Sequence, residues 1–288
     1  MTIQTITAAD GLAVPERSVG STWFVGCGNM SGAMIAGWRS AGVDFGNSVA
    51  IRPSNRPVEG LRTVRSLGDA GKPAETLLLG FKPQVLGELA PQLEPYSDGA
   101  IIVSILAGVE LVTLKALFPK ALAIVRAMPN LPVAVRRGVV GLVSDDASPG
   151  LRDRLGEHYR LLGTAVWSPQ EAAFGALGSV SGAGPAYVAR FIAALAEAGE
   201  ARGLDPELAQ VVARETVFGT AWLAASGSES LDELVERVRS PKGTTDAGLQ
   251  VLDSELPGLI RRTLDAAADR SRELAEAARQ IASSTALA

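Results

Sequence analysis

The sequence predicts an α/β chain in which a doubly wound parallel sheet is followed by an all-helical second domain. Two observations carry this. Through the first half, short apolar runs alternate with helical patterns, the signature of parallel strands joined by crossover helices. Beyond about Ser168 those runs stop, and Ala, Leu, Glu and Arg fill long helical stretches from Glu171 through Ala282, broken near Gly203, Gly227 and Pro241.

In chain order, strands are expected at Thr22–Gly26, Ser48–Arg52, Thr76–Phe81, Ala100–Leu106, Ala123–Met128 and Val139–Ser144, each a short apolar run bounded by turn residues. Residues 1–168 form the sheet domain, with 1–21 as a loosely held extension, and residues 169–288 form the helical one. In the latter, Ala186–Ala201 and Leu208–Ala225 are apolar around much of their circumference. A surface helix on a monomer is polar on one face, so these helices predict a dimer interface.

Composition narrows the function classes. With 288 residues and 47% hydrophobic side chains, the chain has ample material for a core. A net charge of −4, from 27 basic and 31 acidic residues without a basic run, argues against a nucleic-acid partner. The single cysteine, Cys27, cannot form an internal disulfide, and no Cys/His cluster has metal-ligand spacing, so no metal site is expected and a reducing, cytoplasmic setting fits. Met1–Ser21 lacks the basic and apolar regions of a signal peptide, and no apolar run reaches membrane-spanning length.

The most informative segment is Trp23-Phe24-Val25-Gly26-Cys27-Gly28-Asn29-Met30-Ser31, where a Gly-x-Gly turn joins an apolar strand to an amphipathic helix ending near Gly42. In that context the turn is a Rossmann-type fingerprint: Gly26 allows the tight turn, Gly28 lets a pyrophosphate approach the backbone, and the first N–H groups of the helix face the anion. Ser31 stands where a third glycine is usual. A plain packing turn is the competing reading.

The second strand runs into Arg52-Pro53-Ser54-Asn55-Arg56. A site that reads the ribose hydroxyls of NAD places an acid there, whereas Ser54, Asn55 and Arg56 suit a 2′-phosphate, hence NADP, with NADPH preferred and NADH possible. Two further loops, Gly80-Phe81-Lys82-Pro83 and Ile105-Leu106-Ala107-Gly108, fall at carboxyl ends of strands, where open α/β sheets bind ligands, and are expected to border the nicotinamide.

Through Gly26-Cys27-Gly28-Asn29-Met30, Phe81-Lys82-Pro83, Arg126-Ala127-Met128-Pro129-Asn130, Val180-Ser181-Gly182-Ala183-Gly184-Pro185-Ala186-Tyr187 and Ser240-Pro241-Lys242-Gly243-Thr244-Thr245, the chain resembles the pyrroline-5-carboxylate reductases of proline biosynthesis. The matches span residues 22 to about 270. The resemblance implies an N-terminal Rossmann domain, a C-terminal helical dimerisation domain that interlocks with a second subunit, and a substrate held at the dimer interface. It implies cofactor contacts from Gly26, Gly28, Asn29, Met30, Ser54, Asn55, Arg56, Phe81, Lys82, Pro83, Ala107 and Asn130. It further implies that Gly243, Thr244 and Thr245 cradle the substrate carboxylate and that the Thr245 hydroxyl bonds the ring nitrogen. Glu171 falls where some members place a carboxylate that contacts the amino acid.

The implied reaction is hydride transfer from NADPH to a small cyclic imine acid, giving proline, in a homodimer or a larger assembly of dimers with no nucleic-acid or membrane partner. Two departures bear on substrate choice: Lys242 stands where the family usually has glycine, and Leu131 replaces a usual threonine. Other readings are a reductase of a related cyclic imine, a β-hydroxyacid-type dehydrogenase and a non-catalytic NADP-binding homologue. The dehydrogenase uses a lysine on the first helix after a Gly-rich segment as its acid–base group, and Pro185–Gly199 contains none. The lone His158 lies in a charged helical stretch away from these loops, and Cys27 has no evident base nearby.

Overall fold

The computed structural model describes residues 20–285. The expected extension at 1–21 falls outside them except for Gly20 and Ser21. Ser21 accepts hydrogen bonds at its carbonyl from Thr76 N (3.1 Å) and at its hydroxyl from Glu75 N (3.2 Å).

The sheet has eight strands: β1 (Thr22–Val25), β2 (Val49–Ile51), β3 (Arg62–Val64), β4 (Thr76–Leu79), β5 (Ile101–Ser104), β6 (Ala123–Pro129), β7 (Gly138–Val143) and β8 (Gly163–Trp167), in the order β3-β2-β1-β4-β5-β6-β7-β8. Helices α1 (Asn29–Ser40), α2 (Leu86–Leu93), α3 (Leu111–Leu117) and α4 (Pro149–Arg160) connect them, and α5 (Glu171–Ser181) follows. All pairings are parallel except β6–β7, which is antiparallel, so the sheet is mostly rather than wholly parallel. The strands β3 and β8 were not among those expected. Both lie at sheet edges, where one backbone side is unpaired and the side chains are only partly covered, so neither carries a continuous buried apolar run.

The strands read as unbroken apolar runs because both faces are covered. Phe24, Leu78, Val103 and Val125 face one cluster with Met34, Ile35 and Trp38 of α1 and Leu155 and Tyr159 of α4. Their neighbours Trp23, Val25, Leu77, Leu79, Ile102 and Ile124 face the other, with Leu86 and Leu93 of α2, Leu114 of α3 and Phe174 of α5. That two-residue alternation is what makes the sheet doubly wound.

The lone histidine packs against Trp38 and Tyr159 of the first of these clusters. His158 stacks on Trp38 with ring centroids 4.5 Å apart, its carbonyl accepts from Trp38 Nε1 at 3.0 Å, and burial pushes its imidazole down to about 3 from an ordinary 6.5. Between those values the unfolded chain binds a proton that the folded chain excludes, so this group costs stability as pH falls below 6.5. His158→Phe, which keeps the ring stack, is expected to flatten the fall in stability between pH 6.5 and 4 measured by urea titration.

The chain divides into two compact units, residues up to Ala183 together with those from Ala267 onward, and Gly184–Ala266. The second unit is helical: α6 (Gly184–Glu200), α7 (Pro206–Ser226), α8 (Leu231–Val238) and the first half of α9 (Thr244–Thr285). Asp205 caps α7 through Glu207 N and Leu208 N, and Ser230 and Glu233 form a reciprocal capping box on α8. Its buried core is slight, centred on Ala196, Ala209 and Ala213, while Phe191, Val211, Val212, Phe218, Trp222 and Leu259 are exposed on the isolated chain.

Candidate active site

Because β1, β2, β4 and β5 are parallel neighbours, the loops at their carboxyl ends emerge along one edge of the sheet. The strand order reverses direction between β1 and β4, the crevice where such sheets take ligands. This brings together the Gly26–Met30 turn, the Arg52–Arg56 loop, Gly80–Pro83 and Ile105–Gly108.

Gly26 adopts φ +78°, and its N–H donates to Ile51 O at 2.9 Å, which ties the turn to β2. A Cβ there would lie 2.6 Å from Phe81 Cα, so only glycine lets the Gly80–Phe81 loop press against the turn. Gly28, the N-cap of α1, is the opposite case: its backbone is extended and a Cβ would meet nothing within 4 Å. Beyond it, Asn29, Met30 and Ser31 open the helix, where N–H groups have no intrahelical acceptor and the dipole is positive. Ser31 Oγ is buried without a hydrogen-bond partner and lies close beside Gly80. Open space in front of Gly28, unpaired helix donors and an orphaned hydroxyl fit a pyrophosphate.

At the end of β2, Ser54, Asn55 and Arg56 are exposed, Asn55 takes a left-handed φ of 49°, and Arg52 Nε donates to Ser54 Oγ at 3.0 Å. Two guanidinium groups with a serine and an asparagine, and no acid in the loop, suit a phosphate better than a bare ribose. Lys82 and Ala107 are exposed and Phe81 and Pro83 half-buried on the adjacent loops.

Two expected site residues have their side chains engaged elsewhere. Asn130 is buried, donating from Nδ2 to Ser181 O at 3.0 Å and accepting at Oδ1 from Val139 N at 2.8 Å, so its amide stitches β6, β7 and α5 together. Glu171 Oε1 accepts from Arg126 Nη1 at 2.6 Å and from Leu111 N, the first residue of α3, at 2.8 Å. Arg126, which the sequence reading does not single out as a site residue, holds Glu171 in place. Its side chain is only 11% exposed, and its guanidinium lies 4.9 Å from the Phe174 ring centroid. The signal was an arginine inside the apolar run of β6, which has to find an anion.

Cys27 is buried within the turn, and burial pushes its thiol up to about 11, so it stays protonated and is no nucleophile. Among the described residues, no group of three or more His, Cys, Asp and Glu could hold a metal ion, and no helix is long and apolar enough to cross a membrane.

In the second unit, Gly243 N donates to Ser240 O at 2.8 Å and Gly243 O accepts from Ala247 N at 3.1 Å, which places Gly243 at the entry to α9. Thr244, Thr245 and Asp246 therefore begin the helix with N–H groups that have no intrahelical acceptor. A Cβ on Gly243 would collide with the Ser240 side chain. Lys242 holds φ 60°, in the left-handed region that glycine occupies without strain. A non-glycine residue there costs about 1–2 kcal/mol. Lys242→Gly is expected to raise the thermal midpoint, as differential scanning fluorimetry would show.

These features define a nicotinamide-dinucleotide oxidoreductase of the Rossmann class with a helical second region. A family model described as pyrroline-5-carboxylate reductase dimerisation matches residues 171–274, and one described as NADP oxidoreductase, coenzyme F420-dependent, matches residues 22–108. The pyrroline-5-carboxylate reductase of Pseudomonas aeruginosa is 35% identical over 268 residues, covering 88% of this chain and 96% of that protein. That of Synechocystis is 38% identical over 208 residues, covering 72% and 77%. The chain belongs to the pyrroline-5-carboxylate reductase family. Among solved structures, the pyrroline-5-carboxylate reductase of Coxiella burnetii matches with a TM-score of 0.80 at 29% identity, covering 89% of this chain and 99% of that one. The Plasmodium falciparum pyrroline carboxylate reductase with NADP bound, at 23% identity and a TM-score of 0.81 over 89% and 98%, shares the fold.

Proposed function

We propose that this protein reduces 1-pyrroline-5-carboxylate to L-proline, with NADPH as the preferred donor and NADH as a poorer one. The observation that carries the reading is the Ser240–Thr245 segment at the start of α9, in a chain spanning 96% of a relative named for this reaction.

When bound, the reduced dinucleotide supplies a hydride to the C=N carbon. The residues of this chain bind and orient. The N–H groups at the start of α1 and the open space before Gly28 receive the pyrophosphate; Asn29 and Met30 open that helix. Ser54, Asn55 and Arg56 hold the 2′-phosphate, and Phe81, Lys82, Pro83 and Ala107 border the nicotinamide. Gly243 and the first N–H groups of α9 hold the substrate carboxylate, and the Thr245 hydroxyl steers the proton at the ring nitrogen. In this reading Asn130 and Glu171 act from behind the site, since the side-chain contacts described above fix the walls rather than reach outward.

The division into a dinucleotide domain at 1–168 and a substrate and dimerisation domain at 169–288 is part of the same proposal, as is a homodimer built on the exposed apolar side chains of α6 and α7. The buried free Cys27 supports a reducing, cytoplasmic setting. A β-hydroxyacid dehydrogenase is disfavoured because α6 offers no lysine. The test is NADPH oxidation with freshly prepared pyrroline-5-carboxylate, beside NADH and beside a six-membered cyclic imine acid. Rapid turnover of the five-membered ring supports the reading; tight NADPH binding without that turnover sinks it.

A further inference from the structure

The loop after β5 is held from three sides. At Gly108, which adopts φ +76°, a Cβ would lie 2.9 Å from Leu274 C and 3.0 Å from Ala275 N, so the backbone of α9 packs directly on the loop. Two residues on, Glu110 occupies the N-cap position of α3, where its short-range partner is not a helix N–H but an arginine. Arg279 of α9 donates to both of its oxygens, Nε to Oε2 at 2.7 Å and Nη2 to Oε1 at 2.6 Å. That guanidinium holds the Glu110 carboxyl below the usual carboxylate range. At Leu111 the N–H is fixed by Glu171, itself paired with the nearly buried Arg126.

From this geometry we infer that Arg279 is a positioning residue for the dinucleotide: through Glu110, the last turns of α9 set the conformation of the Ile105–Gly108 loop. The inference rests on the proposed function, which has that loop border the nicotinamide. The fork of Arg279 matches the carboxylate bidentately, so it fixes an orientation as well as a charge. Gly108 against the helix backbone, with Glu110 and Leu111 held beyond it, sets where the exposed Ala107, the residue just before Gly108, emerges. Releasing the Arg279 anchor leaves Leu111 pinned at the α3 end and only the packing of Gly108 on α9 to restrain the end nearest the cofactor.

The test uses the full-length protein and four variants: Arg279→Ala, Arg279→Lys, Glu110→Arg, and the exchange Glu110→Arg with Arg279→Glu. NADPH affinity is read by fluorescence titration, with KM for NADPH, KM for pyrroline-5-carboxylate and the thermal midpoint measured in parallel. Arg279→Ala is expected to weaken NADPH binding about two- to thirtyfold, the range typical of residues that act on a site through a packed network. KM for the imine should change little. Lysine, lacking the fork, should restore only part of the affinity, and the exchange should recover it better than Glu110→Arg alone. Unchanged NADPH affinity in Arg279→Ala, with or without a lower thermal midpoint, overturns the inference while leaving the proposed function standing. A wild-type protein that fails to bind NADPH overturns both.

Discussion

Gly28→Ala is expected to fold like the wild type and to lose NADPH. The two halves of that result come from one observation, that a Cβ at this position meets no protein atom within 4 Å while the backbone is in an extended conformation open to any residue. Nothing in the chain resists the methyl group, so the thermal midpoint should barely move. The proposed pyrophosphate, however, would occupy that space and accept from the first N–H groups of α1. Hydrogen bonds to a charged group contribute about 1.5–3 kcal/mol, so displacing the ligand from them should raise the NADPH dissociation constant about ten- to hundredfold. Gly26→Ala is the instructive contrast. Its positive φ and the 2.6 Å approach of Phe81 mean that the methyl group strains the protein itself, and both stability and binding should fall. Equal NADPH affinity in Gly28→Ala and wild type would contradict the assignment of the turn.

Thr245→Ala is expected to leave NADPH affinity intact and to cut turnover of the imine. Thr245 opens α9 in the second unit, whereas the glycine turn and the Arg52–Arg56 loop lie in the first, so the proposed function has the two ligands read by separate parts of the chain. If the hydroxyl steers the proton at nitrogen, its removal costs a share of the ~10²–10⁴-fold that general acid–base catalysis supplies. Thr245→Ser, which keeps the hydroxyl, should retain most of the activity. A drop of equal size in both variants would mean that the methyl group, and hence packing, was responsible.

The sheet domain was legible in the sequence wherever strands are buried on both faces, because such strands must be apolar throughout. Thr76–Leu79 and Ile101–Ser104 are cases in point. It was illegible where burial is partial: Arg62–Val64 is three residues at an edge, and Gly163–Trp167 is an edge strand whose side chains beyond Gly163 are only half-buried. Strand direction was illegible too. An apolar run shows that β7 is a strand but carries no mark of its polarity, which is set by the short connection through Leu131–Val135.

At the site, glycines declared themselves because only they fit certain backbone positions, and the structure puts Gly26 and Gly243 in such positions. Long-range partners did not. Nothing local in Glu110 or Glu171 announces an arginine 169 or 45 residues away. Asn130 and Glu171 look like ligand-facing polar residues on a motif reading, and the structure gives their side chains partners in β7 and α5 and in β6 and α3.

The reversed strand also affects the order in which the chain can assemble. Parallel neighbours such as β1 and β4 close only after long stretches of intervening chain have collapsed, whereas β6 and β7 meet across eight residues. Hairpins form in about 1–10 μs, far sooner than pairings of high sequence separation. The Arg126–Val143 hairpin is therefore expected to form ahead of the parallel pairings, and Asn130, directly after β6, bonds both the returning strand and α5. The one departure from parallel order is where the rest of the sheet can find an edge already waiting.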